Sequence, residues 1–220
     1  TNAVTIALAS NPGNSTLSGT LTRNAKNGIA TFNDISLNRP GVGYSFAFSS
    51  GSLVGTNSAD FNVVPGPPTA LGFLVQPSDT EALTVIAPPI SVVIMDAAGN
   101  TVTSATNQVT ITIGNNPSGG LLIGTTVRNA VGGVATFNNL QINNAGDGYT
   151  LQASAAGFTG ATSASFNLLS PFVVRNTNDA GPGSFRNAIT KSNQTTGAQT
   201  ISFNLPGAGP HRIEPITAFP

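Results

Sequence analysis

Cysteine and tryptophan are absent from the 220 residues, histidine and methionine occur once each, and tyrosine occurs twice. The missing cysteine removes disulfides, thiolate nucleophiles and zinc–sulfur sites together. With His211 alone, neither a histidine metal cluster nor a Cys–His pair can be assembled. Charge is also scarce. Only 7% of residues are Asp, Glu, Lys or Arg, against about 25% in an average soluble domain. The eight basic residues (Arg23, Lys26, Arg39, Arg128, Arg175, Arg186, Lys191 and Arg212) are scattered singly, and the formal net charge is zero. No basic stripe is available to neutralise phosphates, so nucleic acid is not an expected partner. No apolar run approaches the roughly 18 residues of a membrane span, and no signal peptide opens the sequence. A secreted protein would carry its signal outside this window.

Ser, Thr, Asn and 25 Gly fill the space left by charge, alongside a hydrophobic content of 39%. That mixture suits exposed β-strand faces and tight turns, and disfavours a helical cytosolic enzyme.

Self-similarity organises the chain. Residues 1–63 align without a gap onto residues 106–168, an offset of about 105, with roughly 28 of 63 positions identical. Pro12 falls on Pro117, Arg23-Asn24-Ala25 on Arg128-Asn129-Ala130, and Ala30-Thr31-Phe32-Asn33 on Ala135-Thr136-Phe137-Asn138. Gly41-x-Gly43-Tyr44 falls on Gly146-x-Gly148-Tyr149, and Phe61-Asn62 on Phe166-Asn167. A period of that length is a whole domain rather than a solenoid turn. Pro65-Gly66-Pro67-Pro68 reads as a linker, because successive prolines cannot donate to a ladder and favour an extended spacer. The expected domains are therefore residues 1–64, 65–168 and 169–220.

Alternation and β-branched content predict strands at residues 71–75, 83–86, 91–95, 109–113, 121–127, 134–137, 148–153 and 163–168, with Leu140 and Ile142 extending one of them. Asp96-Ala97-Ala98-Gly99-Asn100 reads as a turn held by an Asx bond. This count of short strands in about a hundred residues is that of a β-sandwich. Each tyrosine opens the penultimate strand of its copy. There it can form a tyrosine corner, its hydroxyl bonded to nearby backbone, or simply be a half-buried aromatic.

Residues 65–168 resemble the bacterial immunoglobulin-like repeats of long surface and secreted proteins. The resemblance rests on Leu71-Gly72-Phe73-Leu74-Val75-Gln76-Pro77, Val93-Ile94-Met95-Asp96-Ala97-Ala98-Gly99-Asn100, Gly133-Val134-Ala135-Thr136-Phe137 and Ala145-Gly146-Asp147-Gly148-Tyr149-Thr150-Leu151. It covers that span in full and most of residues 1–64. It implies an immunoglobulin-like fold and a secreted or cell-surface setting, without implying an activity.

Position 1 matches position 106, so the first copy lacks the counterpart of residues 68–105. That stretch holds Leu71, Phe73, Val75, Val85, Val92 and Ile94, each contributing about 1.5–3 kcal/mol if buried. The first copy is therefore an incomplete sandwich. Either the chain is an excerpt of a longer polypeptide, or a strand from a neighbouring chain completes it by β-augmentation.

After Leu168 the pattern changes. Residues 172–175 and 200–205 read as strands, and Ser184 can cap a short helix with Phe185, Ala188 and Ile189 on one face. The run Asn176-Thr177-Asn178-Asp179-Ala180-Gly181-Pro182-Gly183-Ser184-Phe185-Arg186-Asn187-Ala188-Ile189, followed by Ile201-Ser202-Phe203-Asn204-Leu205-Pro206-Gly207, resembles the N-terminal cap of right-handed parallel β-helix surface proteins. In that family a short amphipathic helix covers the open end of the stacked strands. The expected fold is all-β: tandem immunoglobulin-like β-sandwiches, the first incomplete, then the start of a parallel β-helix with a capping helix.

Groups able to do chemistry are few. His211 has Glu214 three residues on, which could orient it as a base, but a polar residue at a strand edge is the better reading. The carboxylates are Asp34, Asp60, Asp79, Glu81, Asp96, Asp147, Asp179 and Glu214, whereas a glycosidase needs two facing one cleft. Asp79 and Glu81 read as solvated loop residues. Asp96 with Asn100 is too small a set for calcium, and Asp147 is replaced by Val42 in the first copy. The glycine pairs lack a phosphate loop's lysine, and Asn14-Ser15-Thr16 and Asn193-Gln194-Thr195 match a glycosylation pattern frequent by chance. No catalytic, cofactor-binding or metal-binding residue is expected. The expected function is a non-catalytic structural or adhesive segment of a large bacterial surface or extracellular protein. Strand complementation could join it into a fibre, and its partners would be other copies of the protein or extracellular glycans. The alternative is an accessory spacer of a secreted polysaccharide-degrading β-helix enzyme.

Overall fold

The computed structural model describes residues 2–220. They form an all-β molecule of several open sheets, with one short helix. Two compact units are present: one comprises the residues up to Ala70 together with Ile94–Ala105, the other Leu71–Val93 together with Thr106–Pro220.

In the first unit lie β1 (Ala3–Ser10), β2 (Leu17–Ser18), β3 (Thr22–Asn24), β4 (Ser36–Leu37), β5 (Gly41–Ser50), β6 (Leu53–Asn57) and β7 (Phe61–Val63). Their main sheet has the order β3-β1-β5-β6, with β7 also on β5 and a separate β2–β4 pair. Every one of these ladders is antiparallel.

Next come β8 (Pro68–Val75), β9 (Thr80–Glu81), β10 (Ile90–Asp96), β11 (Gln108–Ile113), β12 (Leu122–Ile123), β13 (Val127–Asn129) and β14 (Val134–Phe137). β15 (Gln141–Ile142), β16 (Gly146–Tyr149), β17 (Leu151–Ser154), β18 (Ala161–Thr162) and β19 (Phe166–Leu169) follow. One sheet orders β14-β10-β8, a second β13-β11-β17-β18, and a third β16-β19-β9, with β9 parallel to β19. β10 is buried along its length apart from Met95, as expected of a near-continuous apolar run covered on both faces. β11 instead alternates, burying Val109 and Ile111 while its threonines face away. Ile90, Val92, Phe137, Leu140, Ile142, Leu151 and Leu168 complete this core.

Three strand expectations need correction. Residues 83–86 are not a strand: pairing falls on β9, and the chain then turns through Leu83 at φ 61. That turn leaves Val85 exposed and buries Ile86 in its place. The continuous strand expected at 121–127 is split into β12 and β13, with Gly124 at φ 114 in the break. A Cβ there would run into the Asn139 carbonyl oxygen, so only glycine fits. Residues 148–153 likewise divide into β16 and β17.

Beyond Leu169, β20 (Val173–Val174) and β21 (Ser202–Phe203) pair in parallel around helix α1 (Phe185–Gln194). Ser184 caps the helix, its hydroxyl oxygen accepting from the Asn187 N–H at 3.1 Å. Ala188 is buried, with Phe185 and Ile189 half-buried beside it.

Candidate functional site

Identical residues of the two copies make the same hydrogen bonds. The Tyr149 hydroxyl donates to the Asn144 carbonyl at 3.0 Å, and Tyr44 donates to the Arg39 carbonyl at 2.9 Å. Both rings are fully buried, which decides for the tyrosine corner over the half-buried aromatic. Asn116 closes its loop through both amide atoms, to the Gly120 carbonyl at 2.9 Å and from the Gly120 N–H at 2.7 Å. Asn11 does the same with Ser15, at 2.9 and 2.7 Å. Asn167 and Asn62 accept from the N–H of Gly148 and Gly43 at 3.0 and 3.1 Å. Ser163 and Ser58 accept from the backbone N–H of Leu151 and Phe46, each at 2.9 Å. These amides were not recognisable as framework groups beforehand; their recurrence at equivalent positions was the signal.

Asp34 bonds the Thr20 hydroxyl at 2.7 Å and Arg23 at 2.9 Å, and these contacts, the hydroxyl first, hold it below the usual carboxylate range. Asp179 meets Arg186 at 2.8 Å and is lowered chiefly by that bond. Glu214 pairs with Arg212 at 2.7 Å, and His211 is exposed. Asp60 and Asp147 are exposed. No cluster of three or more His, Cys, Asp or Glu side chains occurs among the described residues.

Asp96 forms the expected Asx turn. Its Oδ1 accepts from the Ala98 and Asn100 N–H groups at 2.9 and 2.8 Å, while Oδ2 accepts from the Asn100 amide at 3.0 Å and the Gly66 N–H at 2.9 Å. The Asn100 side-chain bond is the largest cause of a pKa lowered to about 2. Asp96 thus anchors the proline-rich stretch through Gly66, a role that stretch did not reveal in the sequence.

Glu81 departs from the expectation of a solvated loop residue, whereas Asp79 is exposed in its loop as expected. Asp79 accepts from the backbone N–H and side-chain amide of Asn167 at 2.7 and 3.1 Å. Glu81 is buried in β9, where its Oε1 accepts from the Gly183 N–H at 3.1 Å and the Asn187 amide at 2.6 Å. It therefore ties the N-terminal end of α1 to the β-sheet core. Beside it lies a cleft of 560 Å³ lined by the Ala82–Leu83 turn, Asn143–Ala145, and Lys191 and Gln194 of α1. Lys191 is its one charged lining group; the others offer amides, hydroxyls and apolar surface.

The largest difference between the copies is an open face. β14 is laddered to β10, with Ile90 opposite Phe137 and Val93 opposite Val134. The equivalent residues 29–32 have only an isolated bridge at Ile29. β19 is held on two sides, by β16 and β9, whereas β7 pairs β5 alone. Phe137, Leu140, Ile142, Leu151 and Leu168 are buried, while their counterparts Phe32, Ile35, Leu37, Phe46 and Val63 are half-exposed and Ile29 is exposed by 69%. Phe46 partly compensates by packing on Phe61, ring centroids 4.9 Å apart.

No family model matches the chain, and no curated protein matches it. Among solved structures, a β-glucuronidase of glycoside hydrolase family 2 is similar over 94% of this chain and 21% of its own, at 16% identity and TM-score 0.41. A β-glycosidase from Bacteroides vulgatus is similar over 76% of this chain and 21% of its own, at 14% identity and TM-score 0.39. Domains 5–6 of the S-layer protein SbsC are similar over 77% of this chain and 83% of their own, at 18% identity and TM-score 0.32. The chain spans about a fifth of the length of the glycosidases it resembles. Likenesses of this size decide nothing about activity.

Proposed function

We propose that the chain is a non-catalytic structural or adhesive segment of a bacterial cell-surface or extracellular protein. In this reading immunoglobulin-like sandwiches spanning residues 1–64 and 65–168 stand in tandem, and residues 169–220 begin a parallel β-helix. The observation that carries it is what the repeat preserves: residues identical in both copies (Tyr44/Tyr149, Asn11/Asn116, Asn62/Asn167, Ser58/Ser163) bond to backbone and fix loops and strand ends. Some exposed polar groups differ between the copies, as with Asp147 against Val42, while others, such as Asn24/Asn129 and Thr31/Thr136, are kept. A repeat whose shared side-chain bonds to backbone serve the framework reads as a spacer first.

The finer reading has modules joining into a fibre by strand complementation, with copies of the protein or extracellular glycans as partners. The cleft beside Lys191 sets the Asn143, Asn144 and Gln194 amides among a larger apolar surface, a mixture able to meet both the hydroxyls and the ring faces of a glycan. A second reading, an accessory region of a secreted polysaccharide-degrading β-helix enzyme, draws on the parallel β20–β21 pair and its capped helix. Incubating the chain with a panel of bacterial and plant polysaccharides separates catalysis from scaffolding. Release of reducing ends would end the non-catalytic reading. Electron microscopy of the native protein tests the rest: ordered polymers on the cell surface are expected, and dispersed monomers would exclude a fibre.

A further inference from the structure

We infer that the cleft beside Lys191 is a binding subsite for a uronic acid residue of an acidic polysaccharide, with Lys191 reading its carboxylate. The inference rests on the glycan reading above and names the class of sugar. All residues lining this 560 Å³ cleft lie between Ala82 and Thr195 and within the second compact unit. Its volume falls in the range of about 300–1,000 Å³ usual for small-molecule sites. The cleft also departs from the repeat. Ser118, Asn143, Asn144 and Ala145 have counterparts in the first copy, where Gly13, Arg39 and Pro40 replace Ser118, Asn144 and Ala145. Framework side chains recur across the copies; three of these four do not.

Charge decides the ligand class. Lys191 is half-buried and joins none of the ion pairs of the described residues, which are Arg23–Asp34, Arg186–Asp179 and Arg212–Glu214. It stands in the last turn of α1, where the helix dipole favours a cation. A single ammonium group with no carboxylate of its own matches a monoanion, which a sugar carboxylate supplies. Two amides of the lining are fixed with opposite capacity. Asn143 Oδ1 accepts from the Leu121 N–H at 2.7 Å, which leaves its amide hydrogens without a protein partner among the described residues. Asn144 donates to the Ser118 and Gly119 carbonyls at 3.0 and 3.4 Å, which leaves its Oδ1 unpartnered there. One free donor and one free acceptor suit sugar hydroxyls, each of which gives and takes a bond. Leu83 forms the apolar side. Its N–H donates to the Ile142 carbonyl at 2.8 Å, its φ of 61 lies in a region that leucine avoids, and it stays 59% exposed. Strain of this kind clusters at binding sites, and here it sets an apolar face at the cleft for a sugar ring.

The test is isothermal titration calorimetry of the whole chain with trigalacturonic acid, its methyl ester, a sulfated neutral trisaccharide, galactotriose and triglutamate. The acid should bind, and the ester should bind about tenfold or more weakly, because it keeps the rings and hydroxyls and loses the charge. Lys191→Gln should weaken the acid by about tenfold and leave any ester binding unchanged, whereas Lys191→Arg should stay within about threefold of wild type. Leu83→Gly removes the apolar face at a backbone angle that glycine adopts freely, and should weaken acid and ester alike. Acid, ester and galactotriose binding equally, with Lys191→Gln without effect, would overturn the uronate and leave the glycan reading standing. Tighter binding of the sulfated sugar would refute the carboxylate in favour of a sulfate. Triglutamate binding as tightly as the acid would refute a sugar site in favour of an acidic peptide. Binding of no saccharide at all would overturn this inference and the glycan reading together.

Discussion

Replacing Glu81 by alanine should release the C-terminal segment while leaving the β-sheet core folded. The Glu81 carboxylate accepts two bonds, from the Gly183 N–H at 3.1 Å and the Asn187 amide at 2.6 Å, at a site only 5% exposed. Bonds to a charged acceptor contribute about 1.5–3 kcal/mol each, and a buried N–H left without a partner costs about 1–3 kcal/mol. Taking the low end, because Asn187 is half-buried and can turn to water, gives about 3 kcal/mol. That is about a hundredfold in the opening equilibrium of α1. Hydrogen exchange of residues 185–194 should therefore quicken by that factor, with residues 108–113 unchanged. Glu81→Gln keeps an acceptor oxygen of weaker strength, so its effect should stay within about tenfold. Unaltered exchange in the helix of the alanine variant would refute the latch, and uniform acceleration across the whole chain would show that Glu81 supports the entire fold instead.

Asp96 links stability to acid. Its pKa is lowered to about 2 from 3.8, so its contribution is present above about pH 4 and lost as pH falls toward about 2; the shift corresponds to roughly 2 kcal/mol. The stability gap between wild type and Asp96→Asn, read from urea midpoints, should be wide at pH 6 and close by pH 2; a constant gap would refute it. Tyr149→Phe should cost about 1–2 kcal/mol by removing the bond to the Asn144 carbonyl, measured by thermal unfolding, and an unchanged midpoint would refute the corner's role. Phe137→Ala should cost about 3–5 kcal/mol, whereas Phe32→Ala, at the equivalent but half-exposed position, should cost less than half of that; equal losses in denaturant titrations would contradict an open face.

Much of the architecture was legible because it is written in side-chain type. The β11 alternation, the buried β10 run, the Asx turn at Asp96 and the Ser184 cap all followed from local rules. What escaped depended on partners distant in sequence. Glu81 looks like a loop carboxylate until α1, about a hundred residues on, presents two donors to it. Residues 83–86 look like a strand until β9 takes the available edge of β19. Ile86 and Val85 then exchange inside for outside, as a one-residue slip demands. The aligned copies did mark which positions correspond, but burial was needed to see that Phe32, Ile35 and Leu37 are less covered than Phe137, Leu140 and Ile142. The asparagines were the hardest to read, since a framework amide and a surface amide are the same residue.

Those amide clamps have a bearing on the medium the molecule can tolerate. Asn11, Asn62, Asn116 and Asn167 bind neighbouring backbone through groups that neither titrate nor attract counterions. Ion pairs in the same places would weaken with every rise in salinity, over a screening distance of about 8 Å at physiological strength. Loops clamped by neutral dipoles stay set alike in fresh water and in brine.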